Sequence, residues 1–272
     1  RESRWEMSIQ VYQTKLTSLD MDVTFRVMTP DGYETSSCRY PVLYMHDGQD
    51  LFYDEDAVNG HSLRYAQYYR QYSRYLPQII IVGIDCPMNN AVRTKLYTPY
   101  TKHFEVPEGV NFESDIQGDG KAYLEWITGE LKPWIDANYR TRPEGEYTAL
   151  GGYSTGAIVS TYGVLCYPQY FSRLLVMSGA FYIWMDCLDK TLDSSNMDHV
   201  RYIYLDVSTR EQGRYTTPEQ YMAGTAIMNQ RFISYGFDED HLQYQVIEGM
   251  THDQRAWRLR FPDAVRWVFR DL

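Results

Sequence analysis

Apolar positions along the chain fall into two kinds of run, and the two kinds alternate. Short unbroken stretches at 41–45 (PVLYM), 78–84 (QIIIVGI) and 173–177 (RLLVM) have the length and composition of strands covered on both faces. Further strands are expected at 147–151, 202–207 and 242–247. Between them lie stretches with a 3.6-residue period. Across 121–138, Tyr123, Leu124, Ile127, Leu131, Trp134 and Ile135 share one helical face. Helices are also expected over 62–75, 155–166, 218–235 and 253–270, with Pro262 starting a second segment of the last or kinking it. The opening differs. Residues 8–14 and 23–28 alternate and are rich in β-branched residues, and Pro30-Asp31-Gly32 marks a turn. That reads as an antiparallel meander at a sheet edge.

Strand then helix, repeated after an antiparallel start, predicts an α/β three-layer sandwich with a mostly parallel central sheet. All 272 residues are expected to form one domain, residues 1–272, carrying loop-rich insertions at about 86–120 and 179–199. The first insertion holds Tyr97, Tyr100, Phe104 and Phe112, and the second, a candidate cap, holds Phe181, Tyr182 and Trp184.

Composition removes several function classes. With 44% hydrophobic and 23% charged residues, the chain can bury a large core without metals or disulfides. Its formal charge of -10 opposes binding to phosphate backbones and anionic lipid, so neither a nucleic-acid nor a membrane partner is expected. Arg255, Arg258 and Arg260 are interleaved with apolar residues and read as one face of a helix. Cys38, Cys86, Cys166 and Cys187 are widely spaced, with no zinc pattern, and read as buried free thiols in a reducing compartment. No metal or cofactor is expected, and the oligomeric state is left open. The default location is the cytoplasm, although a chain beginning at Arg1 leaves a removed leader open.

The chemistry concentrates at Gly152-Tyr153-Ser154-Thr155-Gly156. This matches G-x-S-x-G, the strand-to-helix turn that lifts a serine hydroxyl out of a strained backbone. Strand-like residues precede it and an apolar helix follows. A serine nucleophile needs a base, then a carboxylate to orient that base. His252 follows the last strand, at the carboxyl edge of the sheet, whereas His199 and His241 precede strands and fall at the opposite edge. The acid should follow strand 202–207. Glu211, in the loop beyond it, is the first candidate and Asp206, inside the strand, the second; Asp238, Glu239 and Asp240 complete the choice. Backbone N–H groups for an oxyanion should come from Thr155 and from Gly48 or Gln49 after the first buried strand. His46 reads as a structural loop residue. Tyr153, Trp184 and Tyr100 are the aromatic residues expected to contact substrate.

These residues resemble a known group. Tyr44-Met45-His46-Asp47-Gly48-Gln49-Asp50-Leu51-Phe52 is similar to the HDGQNLF-type loop of the putative esterase family, the esterase D-like branch of α/β hydrolases that includes siderophore esterases and feruloyl esterase domains. The run from Leu131 to Thr141 resembles the family's ELKPYIDKNYRT helix end, and that from Tyr204 to Glu211 its YLDVGTKE segment. Gly152 to Gly156 and Gly249 to His252 match its elbow and its histidine loop. Thr155, Ala157, Asp50 and Ser208 stand where the family often has methionine, glycine, asparagine and glycine. The resemblance implies an α/β-hydrolase fold. It also implies Ser154 as nucleophile, His252 as base and Glu211 as acid, although some siderophore esterases of the group work with a serine–histidine pair alone. The implied activity is a serine ester hydrolase for short acyl or aromatic, feruloyl-type esters. The alternatives are a catechol siderophore esterase, to which Arg93, Lys95 and Lys102 would offer charge, an acyltransferase on the same residues, or a binding module without catalysis.

Overall fold

In the computed structural model, which describes residues 7–87, 89–110 and 113–272, the buried runs do become strands. They are β1 (Ser8–Leu16), β2 (Met21–Thr29), β3 (Val42–His46), β4 (Ile80–Ile84), β5 (Thr101–His103), β6 (Asp115–Gln117), β7 (Thr148–Tyr153), β8 (Arg173–Met177), β9 (Tyr202–Ser208) and β10 (Leu242–Ile247). Eight of them form one sheet in the order β1-β2-β4-β3-β7-β8-β9-β10, and β5 and β6 pair separately. Contacts from β4 to β10 are parallel, while β1 and β2 join antiparallel at one edge, as the alternating opening predicts.

The helices are α1 (Tyr65–Tyr72), α2 (Asn90–Leu96), α3 (Gly120–Trp126), α4 (Lys132–Asn138), α5 (Gly156–Cys166), α6 (Met185–Ser194), α7 (Pro218–Ser234), α8 (Gln254–Trp257) and α9 (Phe261–Val268). Successive strand residues point to opposite faces, and this divides the core. Tyr44, Val82, Leu150 and Val176 pack with Leu124, Ile158, Leu188 and Met228. Leu43, Met45, Ile81 and Leu175 pack with Tyr65, Phe261 and Val265 on the other side. Each fully buried aliphatic side chain stabilises the sandwich by roughly 1.5–3 kcal/mol, so the layers hold without help from the loops at the strand ends.

Several expectations change. The stretch 86–120 holds α2 and the β5–β6 hairpin rather than loop throughout. The Asn89 side chain starts α2 by accepting from the N–H groups of Ala91 and Val92. Phe112 lies outside the described residues. The stretch 179–199 is not irregular: a short turn at Tyr182–Trp184 leads into α6, whose Leu188 and Leu192 are buried. The helix expected over 121–138 forms as Gly120–Asn138, with a π segment at Ile127–Leu131 between α3 and α4. Of the two expectations for Pro262, the second segment is what forms: the residue lies in the first turn of α9. All four cysteines are free, but only Cys86 is buried; Cys38 and Cys166 are exposed. Arg255, Arg258 and Arg260 do not share a face, since the first is exposed and Arg260 is buried. Among the described residues no helix is long and apolar enough to cross a membrane.

Candidate active site

β3 has β4 on one side and β7 on the other, and the connections that follow β3 and β7 cross to opposite sides, so the carboxyl ends of these two strands border the crevice where sites of such sheets form. Ser154 sits there, between β7 and α5, at φ 56°. A non-glycine residue in that region is strained and must be held by its surroundings. Its N–H donates to the Met177 carbonyl at 3.2 Å, and its carbonyl accepts from the Ala180 N–H at 3.0 Å. A Cβ at Gly152 would come 2.8 Å from the Gly156 carbonyl oxygen, so that glycine is a steric requirement. Gly156 is not: a Cβ there meets only ordinary contacts from 3.6 Å.

His252 reaches the serine from the loop between β10 and α8. Gly249 turns this loop at φ 78°, and Asp253 ends it by capping α8. Ser154 Oγ lies 2.9 Å from His252 Nε2. The imidazole is held between two rings, Tyr221 at 4.5 Å with 30° between planes and the edge-on Trp257 at 4.9 Å. The other ring nitrogen, Nδ1, is buried, makes no hydrogen bond, and stands 3.6 Å from Glu211 Oε1.

Both candidate acids are buried, but their partners differ. Asp206 is bonded twice by Arg260, at 2.8 and 3.0 Å, and accepts from Tyr204 Oη and the Ser178 N–H. Glu211 accepts from Ser178 Oγ and from the Ser208 N–H at 3.3 Å, and the Arg260 guanidinium is 4.0 Å away. Asp206 is therefore spent in an ion pair, and Glu211 is the carboxylate that faces His252. Asp238 is bonded to His241 on the surface.

On the other flank, Gly48 and Gln49 stand in a 3₁₀ turn, Gly48–Asp50, directly after β3. A Cβ at Gly48 would come 2.4 Å from the Gly83 carbonyl carbon. The Gln49 side chain exchanges two hydrogen bonds with the Cys86 backbone, which leaves only its main chain free for a ligand. Asp47 is held by Arg93 at 2.9 and 2.8 Å, and its N–H donates to Tyr97 Oη. His46 bonds Tyr123 Oη at 2.8 Å, and burial with the nearby Arg93 charge pushes its pKa down to about 3. It is a neutral structural residue, placed at the end of β3 rather than in the loop. Thr155 caps α5, so its N–H is one of that helix's free N-terminal donors.

The serine opens into a cleft of about 860 Å³, walled by Phe104, Val106, Ile183 and Trp184 and carrying Lys95, Arg214, Glu105 and Glu113. Of the three aromatic residues expected at substrate, only Trp184 lines it. Tyr153 faces away, because side chains alternate along β7. It stacks on Trp257 at 4.1 Å and donates to Asp50, which also accepts from Gln254, tying three site loops together. Tyr100 lies behind Trp184, with its hydroxyl bonded to Thr191. Lys102 is engaged by Asp186 and the Ile183 carbonyl. Among the described residues no group of three or more His, Cys, Asp or Glu could hold a metal.

Four residues of the site were invisible to sequence reasoning: Ser178, Trp257, Arg260 and Tyr221. The only local signal was for Ser178, which follows a buried strand and precedes a glycine. It accepts from Trp257 and Arg260 while donating to Glu211. Ser208, one of the departures from the family pattern, donates to the Ile247 and Met250 carbonyls and so steadies the histidine loop.

A family model described as putative esterase matches residues 17–268. The uncharacterized protein YbbA of Bacillus subtilis is 25% identical over 247 residues, covering 90% of this chain and 92% of YbbA. Among solved structures, an IroE-like serine hydrolase from Shewanella oneidensis superposes with a TM-score of 0.75 at 20% identity, over 97% of this chain and 81% of its own. A ferulic acid esterase superposes with a TM-score of 0.69 at 16% identity, over 98% and 99%. At these identities the two structures share the fold.

Proposed function

The chain belongs to the putative esterase family, a family of ester hydrolases, and we propose that it is a serine esterase with Ser154 as nucleophile, His252 as general base and Glu211 as the carboxylate that orients the imidazole. One observation carries this reading: a strained serine at a strand-to-helix turn with its hydroxyl 2.9 Å from an imidazole nitrogen. In it, residues 1–272 act as one catalytic domain. Nε2 takes the Ser154 proton as Oγ attacks the ester carbonyl. The oxyanion receives N–H groups from Thr155 and from Gly48 or Gln49. The imidazolium is stabilised by Glu211 and returns the proton to the leaving alcohol, and water then repeats the cycle on the acyl-enzyme.

The cleft supports two substrate classes. The apolar wall of Phe104, Ile183 and Trp184 fits an aromatic acyl group of the feruloyl kind. Lys95 and Arg214 on the same cleft favour a second reading, a catechol siderophore ester carrying negative charge. The test is steady-state hydrolysis of a panel holding nitrophenyl butyrate, methyl ferulate and a dihydroxybenzoyl-serine ester, with Ser154→Ala as control. Turnover of the aryl acyl esters that the substitution abolishes supports the reading. Wild-type rates in Ser154→Ala refute it.

A further inference from the structure

Tyr221 lies on α7, a helix whose start is fixed by a reciprocal cap between Thr217 and Gln220. Its ring covers the imidazole of His252, and its hydroxyl oxygen is 3.4 Å from Nε2, the nitrogen that Ser154 also addresses. The hydroxyl further interacts with the Ser154 and Thr216 side chains. Tyr221 borders the cleft together with Gly213 and Thr216. Its approach depends on Gly213, where a Cβ would come 2.4 Å from the phenol oxygen. At 3.4 Å the contact with Nε2 is longer than a usual hydrogen bond, so the resting site holds a phenol hydroxyl placed beside its reacting atoms and shared among Nε2, Ser154 and Thr216.

An oxygen that receives the Nε2 proton must stand about 3 Å from that nitrogen. On the cleft side, that position is within reach of the Tyr221 hydroxyl. We propose that Tyr221 is a further catalytic residue, whose hydroxyl donates a hydrogen bond to the leaving-group oxygen while His252 protonates it. The inference rests on the serine-esterase reading above. When the tetrahedral adduct collapses, the bond from carbon to the leaving oxygen breaks and its electron pair stays on that oxygen. The proton comes from Nε2, and Tyr221 keeps its own throughout. Burial, reinforced by the Glu211 charge, pushes the phenol pKa up, which suits a donor that stays neutral.

A hydrogen bond to developing negative charge matters most when the leaving group is a poor one. The test is therefore Tyr221→Phe, which keeps the ring over His252, assayed on a nitrophenyl ester and an alkyl ester of the same acid. The expected result is a kcat loss of about tenfold or more on the alkyl ester, against less than about twofold on the nitrophenyl ester. KM should be little changed. Gly213→Ala, which displaces the hydroxyl without removing it, should show the same selectivity and serves if Tyr221→Phe folds poorly. Equal losses on both esters, or no loss on either, would overturn the proposal, since a merely structural tyrosine slows every substrate alike. Failure of the parent reading looks different: the wild-type rates on both esters would then survive Ser154→Ala.

Discussion

Two buried polar regions flank Ser154, one after β3 and one after β9, and they end differently. After β3 the charged pair is matched inside the region: Arg93 binds Asp47, Gln49 binds the Cys86 backbone, and His46 Nδ1 binds Tyr123, while the neutral ring's Nε2 makes no hydrogen bond. Its carboxylate has its counter-charge, and the region fixes a backbone turn. After β9 the network is built from a comparable inventory, Asp206, Arg260, Ser178 and Trp257, but it does not close. It ends in Glu211, whose Oε1 faces an imidazole nitrogen with no hydrogen bond of its own. Burial alone therefore does not mark a reactive group. What separates scaffold from machinery here is whether the last charge in the chain of contacts already has its counter-charge.

The sharpest way to break this contrast is to exchange the two carboxylates' roles by mutation. Asp206→Asn takes the buried Arg260 from its close carboxylate partner, leaving only Glu211 at 4.0 Å, and should cost about 3–5 kcal/mol of folding stability. The fraction that remains folded should keep a near-normal kcat; urea unfolding beside active-site-normalised rates checks both. Glu211→Gln should do the reverse. We expect a kcat loss of about 100-fold with an unfolding midpoint within a degree or two of wild type. Equal stability losses in the two variants would erase the distinction.

The region after β3 should report through pH. His46 has its pKa depressed to about 3 in the folded state, against about 6.5 when unfolded. Between those values the unfolded chain binds the extra proton, so stability is full above about pH 6.5 and is lost as pH falls toward 3. Between pH 7 and pH 5 this one residue should account for about 2 kcal/mol. His46→Gln should flatten that part of the stability profile, measured by urea midpoints. The smallest effect is expected at Tyr153→Phe, which removes the hydrogen bond to Asp50 and the longer one from Gln254 and should cost about 1 kcal/mol with little change in rate.

The comparison also explains what could be read from the sequence. Ser154 and His252 were legible because their signals are local: a glycine-framed turn after one strand, a glycine-turned loop after another. The strands were legible because burial on both faces leaves continuous apolar runs. Glu211 and Asp206 could only be ranked, because both follow the same strand, and what separates them is Arg260, brought in from the chain's last helices. Helices α2 and α6 were missed because their polar faces and aromatic neighbours imitate loop composition. Tyr153 was placed at substrate from its position beside the serine, but alternation along β7 sends its side chain to the opposite face. Tyr221 carries no local signal in the helix over 218–235, and only the fold lays it on His252.

The most direct measurement is the intact mass of the folded protein after incubation with a fluorophosphonate, beside Ser154→Ala. A single adduct, complete in the wild type and absent from the variant, is the expected result of a hydroxyl activated by His252. An unlabelled wild type, or an adduct that survives Ser154→Ala, would contradict the assignment of Ser154 as the nucleophile.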